Sequence, residues 1–162
     1  MRLLPLTADD VPACMALFVA SIGTLGRRHY SAEQCAAWAA PGEEEERLDG
    51  WRRRLDSAWG LKALGEDGAM LGFAWLCHDG EFDMLFTDPA AAGRGVAGAL
   101  VAALEARAGQ AGLVRLHAWA SHGSRPVFER AGWRVLRANR VERAGVVLDN
   151  WLMEKHLEEG AA

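Results

Sequence analysis

The spacing of apolar positions along the chain changes several times, and each change marks an element. Met1 to Leu6 reads as a short strand. Val11, Met15, Phe18 and Ile22 then recur at helical spacing, which predicts a helix with Asp9 or Asp10 at its cap, Pro12 in its first turn, and Gly23 and Gly26 breaking it. Ser31 and Gln34 are spaced as a capping box, so a second helix is expected to about Trp38 or Ala39, ahead of Pro41. Glu43 to Asp56 makes a third, with Leu48, Trp51 and Leu55 at i, i+3 and i+7.

Strand patterns follow. Leu61 to Leu64 and Met70 to Cys77 are joined by Glu66-Asp67-Gly68, a hairpin signal, and His78-Asp79-Gly80 is another. The second turn leads into Glu81 to Thr87, a mostly apolar strand stopped by Asp88-Pro89, because proline offers no amide to a ladder. A helix with Val96, Ala97, Leu100, Val101, Leu104 and Ala108 on one stripe comes next. Leu113 to Ala120 is a strand, Arg125 to Ala131 a short helix closed by Gly132, and Trp133 to Val141 and Val146 to Leu157 pair around Ala144-Gly145. Repeats and linkers are absent from this pattern, which predicts one α/β domain of α+β type over residues 1–157, with 158–162 as a tail. Hairpins first and a strand–helix–strand unit later imply a mixed, mostly antiparallel central sheet flanked by helices, with Glu81 to Thr87 and Leu113 to Ala120 as its one parallel pair.

Gly93-Arg94-Gly95-Val96-Ala97 sits where the long helix begins. A helix start leaves backbone N–H groups without partners and carries roughly half a positive charge, so a loop free of bulky side chains there suits a phosphate. The Walker pattern is missing, and so is the third glycine of the dinucleotide fingerprint with its ribose-binding acid. A tight turn packed on a helix is the other account of such a loop.

With Phe86-Thr87-Asp88-Pro89 ahead of it, the segment Ala92-Gly93-Arg94-Gly95-Val96-Ala97 resembles the acetyl-CoA signature of the GNAT superfamily of N-acetyltransferases, [RQ]-x-x-G-x-[GA] after a strand ending in a V-x-P-like step. Ala92 stands where the family usually has Arg or Gln. Downstream, Ser124 to Trp133 resembles the family's A-x-x-F-Y-E-x-x-G-F segment, and Tyr30-Ser31-Ala32-Glu33-Gln34 with Ala37-Trp38 resembles one bacterial branch. The resemblance implies the GNAT fold, whose parallel strands splay apart to admit the pantetheine arm. Backbone groups of Leu85, Phe86 and Thr87 would pair with that arm as another strand would. Ala92, Gly93, Arg94, Gly95, Val96 and Ala97 would hold the pyrophosphate. Ser121 stands where relatives often carry a cofactor-touching Asn, and Phe128 where many have the Tyr that protonates the departing thiolate. Because the first two helices cover the substrate cleft in the family, His29, Tyr30, Trp38 and Trp119 are expected on the acceptor side. A homodimer is common in the family, while the sequence itself gives no reading of oligomeric state.

The implied reaction is transfer of acetyl from acetyl-CoA to a primary amine of a small molecule or a protein, by direct attack in a ternary complex and without a metal. It needs a base, and Asp83 and Glu81 are expected on the face of Leu85 and Thr87. An apolar strand beside a carboxylate disfavours its charged form, as a base working near neutrality requires. Asp83 ranks first, for its apolar neighbours Phe82, Met84 and Phe86, with Glu81 and then His117 behind it; capping, solvation and packing are the structural alternatives. Phe128 cannot donate a proton, so Ser121, Tyr30 or water replaces it, or the thiolate leaves unaided, which a thiol pKa of about 8.5 permits. Ala92 and Phe128 keep open a second class, a non-catalytic acyl-CoA-binding or sensing module.

Composition narrows the setting. The 162 residues are 51% hydrophobic and 25% charged, a globular balance, and no uninterrupted apolar run nears the roughly 20 residues of a membrane span. Pro5 and the acids after it argue against a signal peptide, which points to the cytoplasm. A net charge of −4 argues against a nucleic-acid surface. Cys14, Cys35 and Cys77 are expected as free thiols, and the seven tryptophans mostly as core.

Overall fold

The computed structural model describes residues 1–39 and 44–158. Its strands are β1 (Arg2–Pro5), β2 (Ala58–Leu64), β3 (Met70–Cys77), β4 (Glu81–Thr87), β5 (Arg115–Ala120), β6 (Arg134–Arg143) and β7 (Val146–His156), and its helices are α1 (Val11–Thr24), α2 (Ala32–Trp38), α3 (Glu44–Asp56), α4 (Val96–Gln110) and α5 (Arg125–Arg130). The strands form one sheet in the order β1-β2-β3-β4-β5-β7-β6. Every neighbouring pair is antiparallel except β4 with β5. The mixed sheet with a single parallel pair is the architecture the pattern predicts.

The central strand β3 shows why helices cover both faces. Phe73 and Trp75 pack with Phe18 and Trp51 of α1 and α3, while Ala74 and Leu76 pack with Leu100 and Leu104 of α4, and all four β3 residues are fully buried. Gly72 lets α4 settle, since a Cβ there would lie 2.8 Å from Val96 Cγ1 and 2.9 Å from the Phe86 carbonyl oxygen. Any side chain at residue 72 would lift the start of α4 off the sheet.

Several boundaries differ from expectation. Thr7, with Asp10, makes the capping box for a short 3₁₀ turn at Ala8–Asp10 that runs directly into α1; Asp10 is the N-cap residue of α1 as expected, but its side chain accepts from Thr7 N and not from the helix start. Gly23 does not break α1, because one glycine costs only about 1 kcal/mol against the burial of Ile22 beside it. The helical run Ala8–Arg28 is thereby 21 residues long, and by length and composition it matches a membrane span, contrary to the expectation from uninterrupted runs. Yet Val11, Cys14, Met15, Leu17, Phe18 and Ile22 are buried in the core. The capping box at α2 forms as expected, Gln34 N donating to Ser31 Oγ at 3.0 Å and Ser31 N to Gln34 Oε1 at 2.9 Å. Pro41, Glu43 and the tail beyond Glu158 lie outside the described residues.

Glu154 on β7 has a side chain only 5% exposed and collects two arginines and a histidine. Arg115 Nε donates to Oε2 at 2.9 Å, Arg134 Nε to Oε1 at 3.0 Å, and His156 Nε2 lies 3.3 Å away. The Arg134 and Arg115 hydrogen bonds hold the Glu154 carboxyl down at about 2. A carboxyl depressed on folding stabilises the protein above its unfolded value of about 4.3, and that contribution fades as pH falls towards 2. Glu154→Gln should therefore lower the melting temperature clearly at pH 7, with the gap to wild type closing between about pH 5 and pH 2. Thermal melts giving the same gap at both ends would refute this.

Candidate functional site

Only two residue pairs join β4 to β5, Glu81 with His117 and Phe82 with Ala118. Beyond Phe82 the strands part, although β4 continues to Thr87 with β3 on its other edge and β5 continues to Ala120 with β7 on its other edge. The gap exposes backbone donors and acceptors of β4 that an extended chain can use as a missing strand would.

Two cavities open on this gap. The smaller, about 370 Å³, extends from the Thr87 end of β4 past the glycine loop to the end of α1. Gly95 caps α4 in the left-handed region (φ 81°), and Gly93 lies there too (φ 76°), conformations that place small residues and free amides at the helix start. Of the residues expected to contact a cofactor, Leu85, Phe86, Thr87, Ala92, Gly93, Gly95, Val96, Ala97 and Ser121 line this cavity. Arg94 is exposed and does not, and Phe128 lines the other cavity. Arg28 and Arg130 also line it, cations at the ends of other elements that the signature does not announce.

The larger cavity, about 780 Å³, runs along the Glu81 end of β4 beneath α1 and α3. Tyr30, Trp38, Leu85, Phe86, Ser121 and Ser124 line both cavities, so the two meet where β4 and β5 part. Of the residues expected on the acceptor side, Trp119 lines the larger cavity, Tyr30 and Trp38 line both, and His29 lies in the smaller one.

The register of β4 corrects the expected alternation. Trp75 pairs with Met84 but Leu76 with Phe82, leaving Asp83 as an extra residue in a bulge. Phe82 consequently packs towards α4, against Phe128 and Trp133, while Met84 and Phe86 pack towards α1. Leu85 falls on the α4 side, so Asp83 does not share its face as the sequence pattern predicts.

The bulge also decides what surrounds each carboxylate. Asp83 meets polar donors as well as apolar neighbours: Arg54 Nη2 donates to Oδ1 at 2.6 Å, Arg54 Nε to Oδ2 at 3.0 Å and Trp75 Nε1 to Oδ2 at 2.7 Å. Three donors satisfy both its oxygens, which makes it a structural clasp between α3, β3 and β4. Glu81 has no hydrogen-bond donor on its carboxylate among the described residues. Burial pushes its carboxyl above the ordinary range, the nearby charge of Asp83 adds to this, and His117, with Nε2 3.9 Å away, opposes it. His117 itself does not line the larger cavity.

The hydroxyls at the junction are anchored. Tyr30 Oη donates to the Asp149 carbonyl at 2.7 Å and accepts from His122 N at 3.1 Å, and burial raises its pKa so that it stays protonated. Ser121 Oγ lies 3.1 Å from Ser124 Oγ and accepts from Ser124 N. Phe128 is buried against Phe82 and Trp133.

If Asp83 is a clasp, Asp83→Asn should lower the unfolding free energy by about 1–3 kcal/mol, since a charge-assisted donor pair is lost where the carboxylate is mostly covered. A urea titration with an unchanged midpoint would show that the pair contributes nothing.

A family model described as an acetyltransferase (GNAT) domain matches residues 27–156. An uncharacterized N-acetyltransferase of Escherichia coli K12, YafP, is 30% identical over 144 residues, covering 89% of this chain and 88% of that protein. Among solved structures, a protein from Rhodopseudomonas palustris described as a GCN5-related N-acetyltransferase, aminotransferase class II, superposes with a TM-score of 0.87 at 35% identity, covering 96% of this chain and 95% of that one. A phosphinothricin acetyltransferase from Sinorhizobium meliloti, solved with acetyl-CoA, shares the fold with a TM-score of 0.75 at 20% identity over 98% and 89% of the two chains. Matched over most of its length by the family model and by relatives on both counts, the chain belongs to the GNAT superfamily of N-acetyltransferases.

Proposed function

We propose that the protein transfers acetyl from acetyl-CoA to a primary amine by direct attack in a ternary complex. The observation that carries this reading is the meeting of the two cavities at the gap between β4 and β5. Pantetheine lies along Leu85 to Thr87 with its pyrophosphate on the amides around Gly93 and Gly95, which brings the thioester to the junction. The acceptor amine enters from the larger cavity. As its nitrogen bonds to the thioester carbon, the carbonyl electrons move onto oxygen, where a β4 N–H steadies them; a preorganised donor of this kind is worth on the order of 3 kcal/mol. Collapse restores the carbonyl, breaks the C–S bond and sheds the second proton of the attacking nitrogen, which goes to the departing thiolate or to water. Tyr30 or Ser121 meets the departing thiolate, or it leaves as the anion.

The ammonium must first lose a proton. Glu81 takes this role over Asp83 because its carboxylate is free of donors and its burial favours proton uptake, with water spanning the distance along β4. His117, beside Glu81, is placed to accept the proton in turn.

Glu81→Gln should lower kcat roughly 10²–10⁴-fold with little change in acetyl-CoA affinity. In wild type, kcat/KM should rise with pH through a value above the ordinary carboxylate range, because below it Glu81 is protonated and cannot accept; the variant should lack that limb. If the limb survives in Glu81→Gln and vanishes in His117→Ala or Asp83→Asn, the base lies there instead.

Gly95→Val tests the cofactor cradle. A valine at φ 81° is strained even though the space around it is open, so acetyl-CoA affinity should fall at least about tenfold, 1.4 kcal/mol. Calorimetry showing unchanged affinity would remove the loop from the binding site. Binding without thiol release for any amine would favour the acyl-CoA-binding module, the alternative that Phe128 leaves open.

A further inference from the structure

Three arginines line the larger cavity, Arg47, Arg54 and Arg143; Arg143 is exposed at the end of β6, and the other two differ in how they are satisfied. Arg54 is neutralised by Asp83. Arg47, one α3 face and two turns away, lines the same cavity half-buried, yet no carboxylate among the described residues lies within ion-pair distance of it. Its guanidinium carbon sits 5.3 Å from the centre of the buried Phe18 ring, and Nη1 donates to the Ala39 carbonyl at 3.0 Å. Ring and carbonyl hold the guanidinium in one orientation with most of its five N–H donors still available. Burial alone disfavours its charge, and a half-buried cation is better accommodated when an anion joins it.

Position relates this cation to the reaction. The Phe18 ring that carries Arg47 is packed edge-on against Phe86, 4.8 Å between centres, and Phe86 borders both cavities. An anion on Arg47 is thus one aromatic ring removed from the junction where the amine must meet the thioester. The other acids of the cavity leave this role open: Asp83 is held by Arg54, Asp149 lies 3.7 Å from Arg140, and Glu81 stands at the far end of β4.

We propose that the acceptor is an amine bearing a carboxylate close to the reacting nitrogen, as in a free α-amino acid, and that Arg47 binds that carboxylate. The planar fork of a guanidinium matches two carboxylate oxygens and fixes the direction from which the neighbouring amine approaches. The inference rests on the acetyl-transfer reading and narrows it to a substrate class.

The test is a thiol-release assay with acetyl-CoA and a panel of free L-amino acids, each beside its carboxamide and its decarboxylated amine. At least one free amino acid should exceed both partners about tenfold or more in kcat/KM, since a half-buried cation with no carboxylate partner among the described residues penalises the analogue lacking the anion. Arg47→Met, which keeps the stem on Phe18, should erase that preference mainly through KM, and Arg47→Lys should retain part of it. An unchanged acetyl-CoA affinity would show that the variants are folded; should they not fold, the comparison of substrates in the unaltered protein decides alone. Carboxamides or plain amines turned over as well as the acids would overturn the proposal while leaving acetyl transfer standing. A carboxylate preference surviving in Arg47→Met would overturn the role of Arg47. Acetyl-CoA binding with no turnover of any panel member would overturn the inference, and it would overturn the transfer reading beneath it only where no other amine is turned over either.

Discussion

Everything at the site depends on β4 losing β5 after two pairs. A central strand normally satisfies both edges, so a strand stripped on one side in the middle of a sheet is costly unless another chain takes the place of the missing neighbour. Here each strand is held firmly from its other side, β4 by β3 and β5 by β7, and the gap persists because neither can move towards the other without breaking that ladder. Tyr30 fastens the same region from outside the sheet: its hydroxyl joins the entry to α2 with β7 and with the loop after β5. The divergence is a built feature of the fold, and the two cavities are its two ends.

The bulge at Asp83 is the second constraint, and it marks where sequence periodicity stops being sufficient. Period-two reasoning identifies β4, its length and its apolar character, but one inserted residue reverses the facing of everything on one side of it. Nothing in Glu81 to Thr87 announces the insertion, because Phe82 and Met84 are both apolar and both find a core, one under α4 and the other under α1. Asp83 marks the only polar position at that point, and its ion-pair partner lies 29 residues earlier on α3. A contact so distant in the chain leaves no local trace, which explains why desolvation looks decisive for Asp83 in sequence while Arg54 and Trp75 govern it in three dimensions.

The elements were legible where local chemistry sets them: the capping box of Ser31 and Gln34, the turns ending in Gly68 and Gly80, and the glycine loop at the start of α4 all form as the residue types require. The cleft walls were legible only in part. Ala92 lines the smaller cavity without supplying a cation, and the arginines beside it, Arg28 and Arg130, come from a 3₁₀ turn after α1 and from the end of α5. No spacing rule joins those positions, so only the fold shows that cations stand near the loop whose usual one is missing.

Charge is divided between the two cavities in a way the net value of −4 conceals. Arg28 and Arg130 line the cavity that holds the glycine loop, as a pyrophosphate would need, and the far end of the larger cavity carries Glu81 without a donor among the described residues, as a departing proton would need. Between them the junction is lined by aromatic rings and by hydroxyls already engaged, which keeps formal charge away from the point where the thioester would react. An amine arriving there as the free base meets an apolar wall at Trp38 and Phe86 that favours its neutral form. In the proposed reaction deprotonation would thus be assisted from two directions, by the Glu81 carboxylate at one end of β4 and by low polarity at the other, and neither would need Asp83 to leave the pair it makes with Arg54.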